Sequence, residues 1–258
     1  MLYIKSQKEI EKMSEGGKIS AKILDKALGL CNEGISTLEI DDEIQRIMKD
    51  EGVDPWFNEV DDYPFVSCIS VNEVWIHGMP NKKKLQSGDV VSIDTGIKYE
   101  DLYLDNCWTV VVPTKGCFNI RECFGEANSE TESFLQTGVK ALEKAISNFQ
   151  IGNMLSDISK AIEKTIEDKG YSVVREYGGH GIGKESHEKP FISCFSGGPD
   201  LDLEKGMVFA IEVMYAMGDS DIKIENDKWS VKTKDSKLSA MFEHTVALTN
   251  DGAKILTK

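Results

Sequence analysis

Four acidic side chains lie where the surrounding pattern argues for burial. Asp94 stands in Val90-Val91-Ser92-Ile93-Asp94-Thr95-Gly96 and Glu212 in Val208-Phe209-Ala210-Ile211-Glu212-Val213, both apolar runs that read as strands. Asp105 leads into Cys107-Trp108-Thr109-Val110-Val111-Val112, and Glu243 sits in Met241-Phe242-Glu243-His244-Thr245-Val246. A carboxylate in such company is costly unless it is protonated, paired or bound to a metal. One alone is more often a salt-bridged core residue. Four brought together would repel and push their pKa values up, and a pair of divalent cations resolves that repulsion.

An imidazole donor lies in the stretch Glu176-Tyr177-Gly178-Gly179-His180-Gly181-Ile182-Gly183-Lys184-Glu185-Ser186-His187-Glu188-Lys189-Pro190, which holds two of the four histidines. Glycines crowd His180, as a backbone needs where it turns sharply or approaches a ligand closely. The bland reading is a glycine-rich loop with two surface histidines. Set beside the four acids, His180 instead completes an oxygen-rich set with one imidazole, suited to Mn, Fe, Co or Zn. Two such ions ~3.5–4 Å apart can share a water and make it a hydroxide near neutral pH. The chemistry would be metal-assisted hydrolysis.

The elements that must position these groups are partly readable. Ser6 with Glu9, and Ser36 with Glu39, have the form of capping boxes that open helices, and Gly34 and Gly52 close them. Helical spacing returns over Asn128–Ser147 and over about Ser156–Asp168, ended by Gly170. Phe65–Asn72, Val90–Ile97, Cys107–Val112, Met207–Met214 and Phe242–Leu248 read as strands. A shift of 118 residues superimposes this order on itself. It puts Gly34 on Gly152, Ile40 on Ile158, Gly52 on Gly170, Ile93 on Ile211 and Asp94 on Glu212. The expectation is one domain over residues 1–258, an α+β body of two similar halves (about 10–120 and 128–250) facing each other across a central site.

Composition narrows the function class. With 258 residues, 40% hydrophobic and 29% charged, the chain can bury a full core. A net charge of −14 argues against a broad DNA-binding surface. The basic run Lys82-Lys83-Lys84 reads as a solvated loop tip. No stretch approaches the ~18 apolar residues of a membrane span, and the N-terminus lacks the apolar core of a signal peptide. Cys31, Cys68, Cys107, Cys117, Cys123 and Cys194 show no C-x-x-C spacing and read as reduced thiols of a cytoplasmic protein.

His77-Gly78-Met79-Pro80, the Asp94 and Asp105 pair, His180-Gly181-Ile182-Gly183 with His187-Glu188-Lys189-Pro190, Glu212, and Glu243-His244-Thr245 closely resemble type I methionine aminopeptidases over essentially the whole chain. The resemblance implies the pita-bread α/β fold around an antiparallel sheet and removal of the initiator methionine when the second residue is small. It implies that Asp94, Asp105, His180, Glu212 and Glu243 hold two divalent ions, with Asp105 and Glu243 bridging and Glu212 accepting a proton. His187 is expected at the scissile carbonyl oxygen, His77 at the amide nitrogen, and His244 beside Glu243 to orient it. Tyr63, Phe65, Cys68 and Trp229 match the methionine pocket, and Asn72, Val74 and Ser239 a monovalent-cation site. The implied partner is a nascent chain at the ribosome, met by the Lys82–Lys84 loop, and the expected state is a monomer. The resemblance covers the catalytic body without the zinc-bearing N-terminal extension of longer relatives.

Three departures stand out. Ser186 replaces an aromatic residue usual before the second histidine, which would open the methionine pocket. Val213 replaces a common proline, and Leu104 and Asn106 flank Asp105 unusually. Within the same fold, a proline-directed peptidase is the rival, and it normally carries an additional N-terminal domain. A metal-free binding scaffold would be expected to have lost ligands.

Overall fold

The computed structural model describes residues 2–60, 62–113, 128–198 and 200–258. Cys117, Cys123 and the end of the first expected half lie outside them. Both capping boxes form. Ser6 opens α1 (Gln7–Leu28) and Ser36 opens α2 (Thr37–Glu51), each accepting from the backbone N–H three residues on while the glutamate there reaches back. Gly52 ends α2 in the left-handed region at φ 71°, a conformation that disfavours a side chain. Asn128 caps α3 (Ser129–Asn148), and α4 (Leu155–Glu167) follows.

The strands, in chain order, are β1 (Asp54–Pro55), β2 (Ser67–Val71), β3 (Val74–Ile76), β4 (Val90–Tyr99), β5 (Leu102–Val111), β6 (Ser172–Val173), β7 (Gly178–Gly181), β8 (Glu188–Ser193), β9 (Val208–Ala216), β10 (Ile222–Ile224), β11 (Val231–Thr233), β12 (Ser239–Thr249) and β13 (Gly252–Ile255). The main sheet runs β1-β4-β5-β12-β9-β7-β8, with β2 on β4, β6 on β9 and β13 on β12, and every pairing is antiparallel. A second, smaller sheet joins β10, β11 and β3.

The helices take one face of the main sheet. α1 lies on β4 and β5, α3 on β9 and β12, with α2 beside α1 and α4 beside α3. The core between them holds Ile40, Ile44, Phe134, Ile158 and Ile162 with the inward residues of the strands. Because side chains alternate across a strand, the other face is left to residues one position out of step. No described helix is long and apolar enough to cross a membrane.

Residues 178–193 carry no alternation that marks strands, yet they close the sheet as β7 and β8. The glycines explain it. A Cβ on Gly178 would lie 2.3 Å from the Ile192 carbonyl oxygen, and one on Gly179 would lie 2.3 Å from that of Ala210. Glycine here lets three strands approach where any side chain would collide.

Candidate metal centre and active site

The face of the sheet away from the helices collects the acids. Asp94 on β4 is the Cα partner of Cys107 on β5, and Cys107 is in turn the partner of Glu243 on β12. Glu243 is paired directly with Glu212 on β9. Two like charges opposite each other across a ladder destabilise a sheet unless something lies between them. Asp105, two residues before Cys107, shares its face.

His180 enters from β7, where it pairs with Ala210 of β9. Its Nδ1 sits 2.9 Å from the Gly181 carbonyl oxygen, an acceptor only, so Nδ1 carries the proton. Nε2 is left as a lone-pair donor, 3.5 Å from Glu212 Oε1. Asp105, His180 and Glu243 offer donor atoms that all lie within 4.8 Å of one another.

The fit to a divalent cation rests on what these groups lack. Asp94 Oδ1, Asp105 Oδ1 and both oxygens of Glu243 are buried with no hydrogen-bond partner among the described residues. Buried carboxylate oxygens almost always find one. Without a cation the cluster must hold protons. Burial pushes Asp94 up to about 7, and burial followed by the charge of Asp94 pushes Glu212 up to about 8. Asp105 and Glu243 are raised well above the usual range, by burial and then by their acidic neighbours. Burial also depresses His180 to about 3, leaving it the neutral imidazole a metal requires. All four donor carboxylates and the imidazole therefore suit a hard-to-borderline divalent cation.

Beside the cluster opens a cavity of about 530 Å³, lined by Tyr63, Cys68, His77, His187, Trp229 and the five cluster residues among others. Tyr63 lies edge-on to Trp229, with ring centroids 5.0 Å apart. His77 has φ 54°, a strained setting for a side chain, and its ring stands perpendicular to Tyr177 at 5.5 Å. Burial lowers it to about 4. His187 is exposed at the cavity edge, 4.2 Å from the His180 ring and 3.4 Å from Ser186 Oγ through Nδ1.

Residues 11–250 match Metallopeptidase family M24. The methionine aminopeptidase of Mycoplasma capricolum is 36% identical over 260 residues, covering 100% of this chain and 99% of that protein. The chain belongs to the M24 methionine aminopeptidases. A crystal structure of the Thermotoga maritima methionine aminopeptidase superposes with a TM-score of 0.92 at 36% identity, covering 100% of both chains. The fold is therefore the pita-bread fold expected from the motifs. The prolidase of Pyrococcus furiosus is more distant, with a TM-score of 0.75, 26% identity and only 65% of its length covered. An M24 metallopeptidase works with a divalent metal, and the donor set described above fits one.

Not every expected residue falls where it was assigned. Phe65 does not line the cavity; it packs against the outside of Tyr63, with centroids 5.9 Å apart. His244 follows Glu243 on β12, so its side chain points to the helix side, where Nδ1 meets Thr257 Oγ1 at 3.1 Å. Asn72 and Ser239 do meet. The Asn72 carbonyl accepts both the backbone N–H and the hydroxyl of Ser239, each at 2.9 Å. A monovalent cation there would have to displace one of them. Val74 lies beyond, on β3, paired with Lys232.

Trp56, Phe57, Tyr177, Met214 and Met241 also line the cavity, outside the motifs that mark the site in the sequence. Met214 could have been found, since it stands two residues after Glu212 on one strand. Met241 likewise stands two before Glu243. Trp56 and Phe57 lie in a short irregular segment with no periodic signal. Trp56 supplies aromatic surface beside His187, where Ser186 supplies none, and Phe57 packs edge-on to Trp56. Asp41 is a further residue that no sequence motif marks. From α2 it accepts the backbone N–H groups of Val66 and Ser67 and the Ser67 hydroxyl, anchoring the segment between Tyr63 and Cys68.

Proposed function

We propose that this chain, as one catalytic domain of two similar halves, removes N-terminal methionine from peptides whose second residue is small, using two divalent ions. The observation that carries the reading is the convergence of Asp94, Asp105, His180, Glu212 and Glu243 on one wall of a largely apolar cavity. By the family resemblance Asp94, Asp105, His180, Glu212 and Glu243 would hold the ions, Asp105 and Glu243 in the bridging role, Asp94 with one ion and His180 with Glu212 with the other. Bound there, the ions would supply a hydroxide nucleophile at neutral pH and a Lewis acid for the substrate carbonyl.

The chain's own residues do the rest. Tyr63, Cys68 and Trp229 receive the methionine side chain, while the acidic wall takes the free α-amine and so limits cleavage to one residue. Glu212 accepts the proton of the attacking water and passes it to the leaving amine. His187 donates to the carbonyl oxygen as negative charge develops there. The Ser186 hydroxyl lies 3.4 Å from Nδ1 and can donate to or accept from it, so it leaves Nε2 open to either tautomer. His77, kept neutral by burial, accepts from the scissile amide N–H. In the cell the substrate would be a nascent chain met in the cytoplasm, with the exposed Lys82–Lys84 loop turned to the ribosome and the enzyme acting as a monomer. Asn72, Val74 and Ser239 would hold a monovalent cation only with rearrangement of the Ser239 contacts.

The test is release of free methionine from Met-Ala-Ser by chelator-stripped protein with Mn or Co restored. Release dependent on the ion and confined to methionine before a small residue supports the reading. Cleavage of Xaa-Pro peptides instead would transfer the chain to prolidase chemistry.

A further inference from the structure

His187 faces a problem that the strands around it do not solve. It is exposed, its turn joins β7 to β8, and among the described residues its polar contact is the 3.4 Å approach of neighbouring Ser186. A donor to a developing oxyanion must be held in place, because small misorientation forfeits most of its effect. Two rings bracket the imidazole. One is His180, itself committed to the metal cluster. The other is Trp56, whose ring stands at 89° to His187 with centroids 5.4 Å apart, the favoured edge-to-face arrangement.

That indole is fixed with unusual completeness. It is 3% exposed, and its N–H donates to the Leu104 carbonyl at 3.1 Å. Its backbone N–H donates to Gly96 at 3.3 Å. Position 96 has to be glycine for the ring to enter, since a Cβ there would lie 2.1 Å from Nε1. Leu104 immediately precedes Asp105, so the ring is keyed to the strand that carries a cluster carboxylate.

We propose that Trp56 is a positioning residue for His187, holding its ring at the angle from which Nε2 reaches the substrate carbonyl. This rests on the role given to His187 above. The competing account makes Trp56 an ordinary member of the small aromatic cluster with Phe57, Tyr63 and Cys68. Truncation would then widen the methionine pocket and raise KM.

The experiment is a double-mutant cycle on Mn-restored enzyme with Met-Ala-Ser. Absence of turnover in the unmodified enzyme would defeat the functional reading itself and is seen before any variant is made. Given turnover, Trp56→Ala is expected to lower kcat ~10-fold or more while KM and Mn affinity stay within ~3-fold. Trp56→Phe, which keeps a flat ring in the glycine slot, should recover most of the loss. In a His187→Ala background, Trp56→Ala should cost nothing further, because the group it positions is gone. Multiplicative losses in the double variant would overturn the proposal, as would an effect confined to KM or a loss of Mn binding. If Trp56→Ala does not fold, Trp56→Leu fills the slot without a flat face and carries the same cycle.

Discussion

Asp105 shows how one side chain can be costly to the fold and necessary to the site. Its carboxyl is buried among three others and is raised well above the ordinary range, first by burial and then by Asp94 and Glu212. An amide in its place would relieve that repulsion but offer one neutral donor oxygen where the proposed bridging role calls for an anion. Asp105→Asn should therefore fold at least as well as the parent in the absence of metal, and lose at least ~100-fold in methionine release. Circular dichroism and metal content measured on the same sample check both halves of that expectation; undiminished turnover would remove the bridging role. His187 makes the opposite separation. It lies outside the donor set, so His187→Ala should lower kcat ~10²–10³-fold with metal affinity nearly unchanged. Calorimetric titration with Mn distinguishes this from a ligand role, which would show as lost binding.

At the scale of elements, the segment before α1 is tied to the turn that presents His187. Lys5 and Glu188 form an ion pair whose side chains are 0% and 1% exposed. The second Glu188 oxygen accepts the backbone N–H groups of Lys184 (2.6 Å) and Glu185 (3.3 Å). Lys5→Met would leave that carboxylate buried and uncompensated, at a cost of ~3–5 kcal/mol, read as a shift of the urea midpoint. Nothing in the sequence announces this strap, because Lys5 and Glu188 are 183 residues apart and each looks like an ordinary surface charge. The helices were legible for the opposite reason. Ser6–Glu9 and Ser36–Glu39 are local signals, and α1 and α2 begin where they say. The long strands β4, β5, β9 and β12 were legible from their apolar runs, and their misplaced carboxylates exposed most of the site. β7 and β8 were not, since their glycines record close strand contact and not strand propensity. Trp56 stayed hidden because its importance comes from a slot at Gly96 and a partner at position 187, both set by tertiary packing. Phe65 stands behind Tyr63 and off the cavity wall, because in a segment this irregular proximity in sequence to Tyr63 and Cys68 does not say which side a ring faces.

The whole molecule carries the consequence of gathering four carboxylates on one sheet face, and it is measurable as a pH dependence of stability. In chelated protein Asp94 is raised from 3.8 to about 7 and Glu212 from 4.5 to about 8. A raised carboxyl pKa means that the folded chain keeps a proton the unfolded chain has released. Stability then falls as pH rises from the unfolded value to the folded one. The buried histidines work the other way: His77 and His180 are depressed to about 4 and about 3, so stability rises with pH, but only up to their ordinary 6.5. Above 6.5 the carboxylates act alone. Between pH 6.5 and 8 the chelated protein should lose stability steadily, Asp94 completing its titration first and Glu212 after it, while the still more strongly raised Asp105 and Glu243 keep their protons and add to the fall. Divalent ions bind the deprotonated form, so their stabilisation should grow over the same interval. Thermal unfolding at pH 6.5 and 8, with EDTA and with Mn, tests both slopes at once. The gap between the two melting temperatures should be wider at the higher pH. A chelated protein whose melting temperature is flat or rising over this range would mean that the acids are not held protonated, and that the charge on this face is balanced by the protein itself and not by a metal.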